Sequence, residues 1–138
     1  MRSGPGPAVL AVIMSLGASP ALAVVCQNTS MSLDEVVDVI KAAPGCEGAM
    51  KIFKDCSLGT SGDTRMGEAV ENKCEGDFLG KLKAPQKQAY QRAMNVCDQK
   101  YRNESGTMYR SFTAFCRAEI SQRYSARALK AASPSRAR

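Results

Sequence analysis

The sequence contains no histidine and no tryptophan in 138 residues, and only 6% of its residues are aromatic. Without an imidazole, the chain cannot use a His-assisted Ser or Cys nucleophile, a His-ligated zinc ion or a histidine pH switch. These absences exclude most common hydrolase mechanisms. The 44% hydrophobic content is that of an ordinary globular chain, and the length predicts a single domain. We therefore expect a protein that is not an enzyme, with no catalytic, cofactor-binding or metal-binding residues.

Long apolar runs are also scarce. The run at residues 8–16 is about half of the roughly 20 residues that a membrane-spanning helix needs. It follows Arg2 and precedes the small-x-small sequence Ala21-Leu22-Ala23, a pattern typical of a cleaved secretory signal peptide. We expect residues 1–23 to be a signal peptide and the mature protein to be periplasmic or secreted in a bacterium, with no transmembrane segment.

The six cysteines all lie after this segment, and none forms a Cys-x-x-Cys pair. Their spacing disfavours thioredoxin-like redox chemistry and zinc binding, whereas an even number in an exported chain predicts disulfides. Partners in an antiparallel helical hairpin lie at similar distances on either side of its turn. This symmetry predicts Cys97 with Cys116 around the Ser105-Gly106 turn, Cys46 with Cys74 around the loop at 57–64, and the remaining Cys26 with Cys56.

Apolar residues recur at helical spacing in five segments, and no segment alternates as a strand does. Ser32 and Glu35 form a capping box that begins the first helix, Pro44-Gly45 ends it, and Pro85 suits the first turn of the fourth. We predict an all-α fold, a small disulfide-stapled bundle of four or five helices over residues 24–129, followed by a basic disordered tail at 130–138. In the fifth helix the inward side chains are predicted to be Met108, Phe112, Phe115, Cys116, Ile120 and Tyr124.

Charge is divided unevenly along the chain, which carries a net +6. Residues 24–80 hold ten acidic and five basic residues, whereas residues 81–138 hold three acidic and thirteen basic ones. A basic surface attracts anionic partners, such as envelope lipid, cell-wall polymer or an acidic protein, although a solvated surface is the simpler interpretation. Nucleic acid is not expected, because no recognition motif is present. The cations assigned to this surface are Lys81, Lys83, Lys87, Arg92, Lys100, Arg102, Arg110, Arg117, Arg123 and Arg127.

Four carboxylates follow one another on and just after the third helix, and we call them the acidic ridge: Glu68, Glu71, Glu75 and Asp77. Ordinary helix surface is the favoured interpretation, and docking onto a cationic protein is the functional alternative. Paired carboxylates can also hydrolyse glycosidic bonds. Nothing apolar beside these residues predicts the separation of pKa values that such catalysis needs.

The second half carries a family resemblance. The relevant segments are Gln88-Ala89-Tyr90, Cys97-Asp98, Gly106-Thr107-Met108 and Cys116-Arg117-Ala118-Glu119, followed by Arg123 and Leu129. Over residues 82–129 this pattern resembles the small exported cysteine-containing domain typified by the lysozyme inhibitor LprI. The resemblance implies a helical, exported, non-enzymatic domain, with lysozyme inhibition as an attributed role.

Two functions follow as expectations. The first is an exported, non-enzymatic binding module, lysozyme inhibitor-like, whose acidic ridge contacts a protein partner such as a cationic lysozyme. The second is an envelope-associated protein that binds anionic lipid or cell-wall polymer through its basic carboxy-terminal helical hairpin.

Overall fold

The computed structural model describes Cys26 and residues 30–134, so the predicted signal peptide and the last four residues lie outside it. Within this part the chain forms helices and no strand, which confirms the predicted all-α, disulfide-stapled bundle. A 3₁₀ turn at Leu79–Lys81 precedes the fourth helix. The helices are α1 (Leu33–Ala42), α2 (Cys46–Cys56), α3 (Asp63–Glu75), α4 (Ala84–Lys100) and α5 (Thr107–Ala132).

The helix ends follow local sequence rules. At α1 the Ser32 hydroxyl accepts from the Glu35 N–H at 3.3 Å, and the Glu35 carboxylate accepts from the Ser32 N–H at 2.7 Å, which lowers the pKa of Glu35. At α4 the Gln86 side chain accepts from the Lys83 N–H at 2.8 Å. Gly106 has a φ of +118°, which disfavours any side chain, so the turn from α4 into α5 depends on glycine.

Two groups of buried side chains form the core. The first lies among α1, α2, α3 and one face of α5, and its fully buried members include Ile40, Met50, Phe53 and Val70. The second lies where α4 meets α5. It consists of Phe78, Tyr90, Met94, Cys97 and Ile120.

Helices α3 and α5 approach each other closely at Gly67. A Cβ atom added at Gly67 would lie 2.9 Å from the Ala114 Cβ, so only glycine fits there. The face of α5 that packs here carries small side chains, and the prediction that Met108 and Phe112 point inward is wrong. They are 49% and 41% exposed, because the narrow spacing of α3 and α5 leaves no room for large groups. The small buried residues of α5 are Ser111, Ala114, Ala118, Ser121 and Ser125.

Three disulfides staple the bundle, and they are the pairs expected from hairpin symmetry. They join Cys26 to Cys56, Cys46 to Cys74, and Cys97 to Cys116, with Cα–Cα distances of 5.0, 4.6 and 5.6 Å. The first two hold the α1–α3 region, and the third joins α4 to α5. Helix α5 runs on to Ala132, past the predicted domain boundary at residue 129, and so includes the start of the predicted tail.

Candidate functional site

Glu71 of the acidic ridge faces another helix rather than a partner. Its carboxylate accepts two hydrogen bonds from the Arg117 guanidinium, at 2.8 and 2.9 Å, and the same guanidinium contacts Asp98 at 2.8 and 3.0 Å. Arg117 therefore ties α3, α4 and α5 together. Burial raises the pKa of Glu71, although Arg117 acts against this rise. The hydrogen bond to Glu71 raises the pKa of Arg117 in turn.

Two more members of the ridge also serve the fold. Glu75 accepts from the Tyr90 hydroxyl at 2.9 Å, and Asp77 accepts from the Ser125 hydroxyl. Burial, with help from the bond to Glu75, raises the pKa of Tyr90. Glu68 is the member of the ridge whose residue is exposed. Partner binding by the ridge stays a prediction, and Glu68 is the carboxylate that the structure leaves open to solvent for it.

Asp63 is a structural residue that the sequence analysis missed. It is fully buried and accepts hydrogen bonds from Leu58 N–H at 3.0 Å, Gly59 N–H at 2.8 Å and the Ser111 hydroxyl at 2.6 Å. The carboxylate thus fixes the loop before α3 against α5. An Asp after a Gly-rich loop signals a helix start. Nothing local indicates its bond to Ser111.

Unlike the carboxylates that are bonded within the bundle, most cations of α4, α5 and the turn before α4 are exposed. Ten of them are exposed, and none has a carboxylate oxygen within 4.0 Å among the residues that the structure describes. Arg117 is the exception in the predicted basic set, since it is used inside the bundle. We call the ten residues the basic hairpin surface. They are Lys81, Lys83, Lys87, Arg92, Lys100, Arg102, Arg110, Arg123, Arg127 and Lys130.

Besides a cavity of about 530 Å³ at the turn from α4 to α5, two further concave features lie along this hairpin. The first is a polar cleft of about 500 Å³ between α3 and α5, where Glu68 and Asn72 face Arg110 and Arg117. The second is a mainly apolar groove of about 320 Å³, formed where α4 begins and α5 ends. We call it the apolar groove, and its walls are Phe78, Leu82, Gln86, Ala89, Tyr124, Arg127 and Ala128.

No family model, curated protein or solved structure matches the chain. Within Cys26 and residues 30–134, no three Cys, Asp or Glu side chains converge into a group that could hold a metal ion. In the same part of the chain, no helix is both long enough and apolar enough to cross a membrane.

Proposed function

We propose that the protein is an exported, non-enzymatic binding module that engages an anionic lipid or polymer of the bacterial envelope. One observation carries the proposal. The ten cations of the basic hairpin surface are exposed and unpaired in the described chain, whereas Glu71, Glu75 and Asp77 bond to other helices. The surface that remains for a charged partner is therefore cationic, and it attracts an anionic one.

The compartment agrees with this proposal. Disulfides persist in oxidising environments such as the periplasm, and the three bridges pin the helices beneath the basic hairpin surface. The predicted signal peptide at residues 1–23 supplies the route of export. A rigid scaffold keeps its cations in place before the partner arrives, so little conformational entropy is lost on binding.

The first experiment measures binding of the oxidised mature protein, residues 24–138, to vesicles. Vesicles of phosphatidylglycerol, vesicles of phosphatidylcholine and an anionic cell-wall polymer are compared at low and physiological salt. Binding to the anionic vesicles or the polymer should fall by about tenfold or more at the higher salt, because salt screens exposed charges. Equal binding to both lipids, or binding that salt does not change, would contradict the proposal.

A pair of variants tests whether position matters as well as net charge. Replacing Lys87, Arg92 and Arg123 with Gln removes three cations from the basic hairpin surface. Each cation near an anionic membrane is worth about 1 kcal/mol, so binding should weaken by about 100-fold. The control replaces Lys51, Lys54 and Lys73 with Gln, an equal change of net charge in the first half. It should weaken binding much less, and an equal loss would show that only total charge counts.

Lysozyme inhibition is the second candidate, supported by the resemblance and by the exposed Glu68 in the polar cleft. Glu68→Lys should abolish inhibition of a cationic lysozyme, whereas Glu119→Lys, an exposed site on α5, should leave it intact. Substitution of Glu71, Glu75 or Asp77 is a poor test, because each holds two helices together. Full inhibition by the Glu68→Lys variant would contradict the proposal that Glu68 contacts lysozyme.

A further inference from the structure

The apolar groove has a lining unlike the rest of the hairpin surface. Its floor includes Phe78, which is 2% exposed, and one wall carries the half-buried Tyr124. The two rings lie 5.4 Å apart between centroids. Leu82, Ala89 and Ala128 complete an apolar trough. Its volume of about 320 Å³ is at the lower end of the range for small-molecule sites.

One cation forms part of this trough, and others follow nearby in the chain. Arg127 forms part of the wall and lies over the Tyr124 ring, 5.7 Å from its centroid. Six further cations lie in the chain within four residues of a lining residue: Lys81, Lys83, Lys87, Arg92, Arg123 and Lys130. The nearest acidic residue in the chain, Asp77, already accepts the Ser125 hydroxyl. The groove thus combines an apolar interior with a guanidinium in its wall and exposed cations at neighbouring positions of the chain.

We propose that the apolar groove binds one acyl chain of an anionic phospholipid, with the phosphate held by Arg127 and the neighbouring cations. This inference rests on the proposed function and narrows the partner from anionic surfaces in general to lipid. Transfer of an acyl chain from water to a lining of Phe78, Leu82 and Tyr124 is favourable. Guanidinium groups bind phosphate through charge-assisted hydrogen bonds. A cell-wall polymer supplies a phosphate but has no acyl chain that could occupy the groove.

The chain has no tryptophan, so a single introduced indole reports on its own surroundings. Gln86→Trp places the indole at the groove, at an exposed position whose only hydrogen bond in the described chain is the one that Gln86 accepts from the Lys83 N–H. The probe is lysophosphatidylglycerol with a brominated chain, used below its micelle-forming concentration. We expect saturable quenching of the indole at Gln86→Trp. The control, Ala126→Trp, carries its indole on an exposed part of α5 outside the groove and should show no saturable quenching.

Two further comparisons separate the contribution of the acyl chain to binding from that of the headgroup. Lysophosphatidylcholine with the same brominated chain should bind about tenfold more weakly or worse, because its headgroup has no net charge. Ala89→Phe, added to Gln86→Trp, fills the trough and should weaken binding of lysophosphatidylglycerol by about tenfold. Salt-dependent binding to anionic vesicles should change by less than about twofold, since every cation is kept. Circular dichroism confirms that each variant keeps its helices.

The outcomes distinguish the two proposals. If the brominated probe quenches neither indole, or both equally, the groove is not an acyl site. If anionic vesicles are then still bound in a salt-dependent manner, the proposed function stands and this inference alone falls. If neither vesicles, polymer nor lysolipid is bound, both proposals fall.

Discussion

The two halves of the bundle use charge in opposite ways. In residues 30–80, Asp63, Glu71, Glu75 and Asp77 turn toward other helices, and Arg65 pairs with Asp34 at 2.6 Å. In residues 81–134 the cations other than Arg117 are exposed to solvent, and so are Val96, Met108, Phe112 and Leu129. The first half also holds two of the three disulfides. The first half therefore uses most of its buried charge within the fold, and under the proposed function the second half provides the surface for a partner.

Opening the disulfides should have the largest effect, and the effect should differ between the halves. Each bridge closes 19 to 30 residues of chain and contributes about 3 kcal/mol to the free energy of unfolding. Replacing both Cys46 and Cys74 with Ala should raise amide hydrogen exchange throughout the bundle, since α3 packs on α1, α2 and α5. Replacing Cys97 and Cys116 should raise it mainly in α4. Equal exchange rates in α3 and α4 of both variants would contradict this difference between the halves.

Gly67→Val should have the next largest effect. A side chain there meets Ala114, whose Cβ and carbonyl oxygen would lie 2.9 and 3.2 Å from the new Cβ. Forcing α3 and α5 apart should cost about 3 kcal/mol of unfolding free energy, measured by urea titration with the disulfides intact. Gly48→Ala in α2 is the control. The nearest atom there lies at 3.7 Å, so the variant should gain about 0.5–1 kcal/mol from helix propensity.

Arg117→Met should have a smaller effect that depends on pH. The substitution leaves the buried Glu71 carboxylate without its counterion. We expect a cost of about 2 kcal/mol at neutral pH, less than for a fully buried pair because the Arg117 side chain is 29% exposed. Burial raises the pKa of Glu71 above its unfolded value, so the protonated form is favoured in the fold. The loss should therefore shrink as pH falls through that raised pKa.

The double variant Arg117→Met with Glu71→Gln checks this explanation. With no carboxylate left to desolvate, it should recover part of the lost unfolding free energy and should lose the acid dependence. A double variant as unstable as Arg117→Met, with the same pH profile, would show that packing of the Arg117 stem is what counts.

Tyr90→Phe should have the smallest effect at neutral pH, about 1 kcal/mol for the bond to Glu75. Its main consequence appears in alkali. Burial raises the pKa of Tyr90 above its ordinary value of 10.0. The neutral Tyr90 side chain therefore makes its full contribution to stability below pH 10, and that contribution is lost as the pH rises above 10. Above about pH 10, wild-type stability should fall by up to about 1.4 kcal/mol per pH unit from this residue alone. Tyr90→Phe should fall less steeply, and Tyr101→Phe should keep the wild-type slope.

Sequence rules identified the elements that local chemistry determines. The Ser32 and Glu35 capping box, the break at Pro44-Gly45 and the apolar spacing all act within a few residues, so five helices could be predicted. Hairpin symmetry was enough to propose the cysteine pairs. The inner face of α5 could not be predicted, because large apolar side chains such as Phe112 normally mark the core. Here the approach of Gly67 reserves that face for small residues.

The candidate site was predicted less well than the fold. Carboxylates at helical spacing normally indicate solvent-exposed surface, whereas Glu71, Glu75 and Asp77 each meet a donor 15 to 48 residues away in the chain. Such pairings depend on tertiary geometry. Nine of the ten residues of the basic hairpin surface were predicted as exposed cations, because unpaired cations need only a helix and solvent. Arg117 was wrongly included, and Lys130 was assigned to the tail although it belongs to α5. The apolar groove was missed, since it forms only when Phe78 and Tyr124 come together.

The contacts that hold α4 in place are distributed unevenly along its length. Among the helices it packs mainly against α5, and its covalent link at Cys97 and its ionic contact at Asp98 both lie near its carboxyl end. The amino-terminal turns, beside the apolar groove, have neither. That end is held instead by Tyr90, which is buried against Phe78 and Tyr124 and donates its hydroxyl to Glu75. Aromatic packing and one hydrogen bond therefore position α4 at the groove, whereas a covalent bond and an ion pair position it at the opposite end.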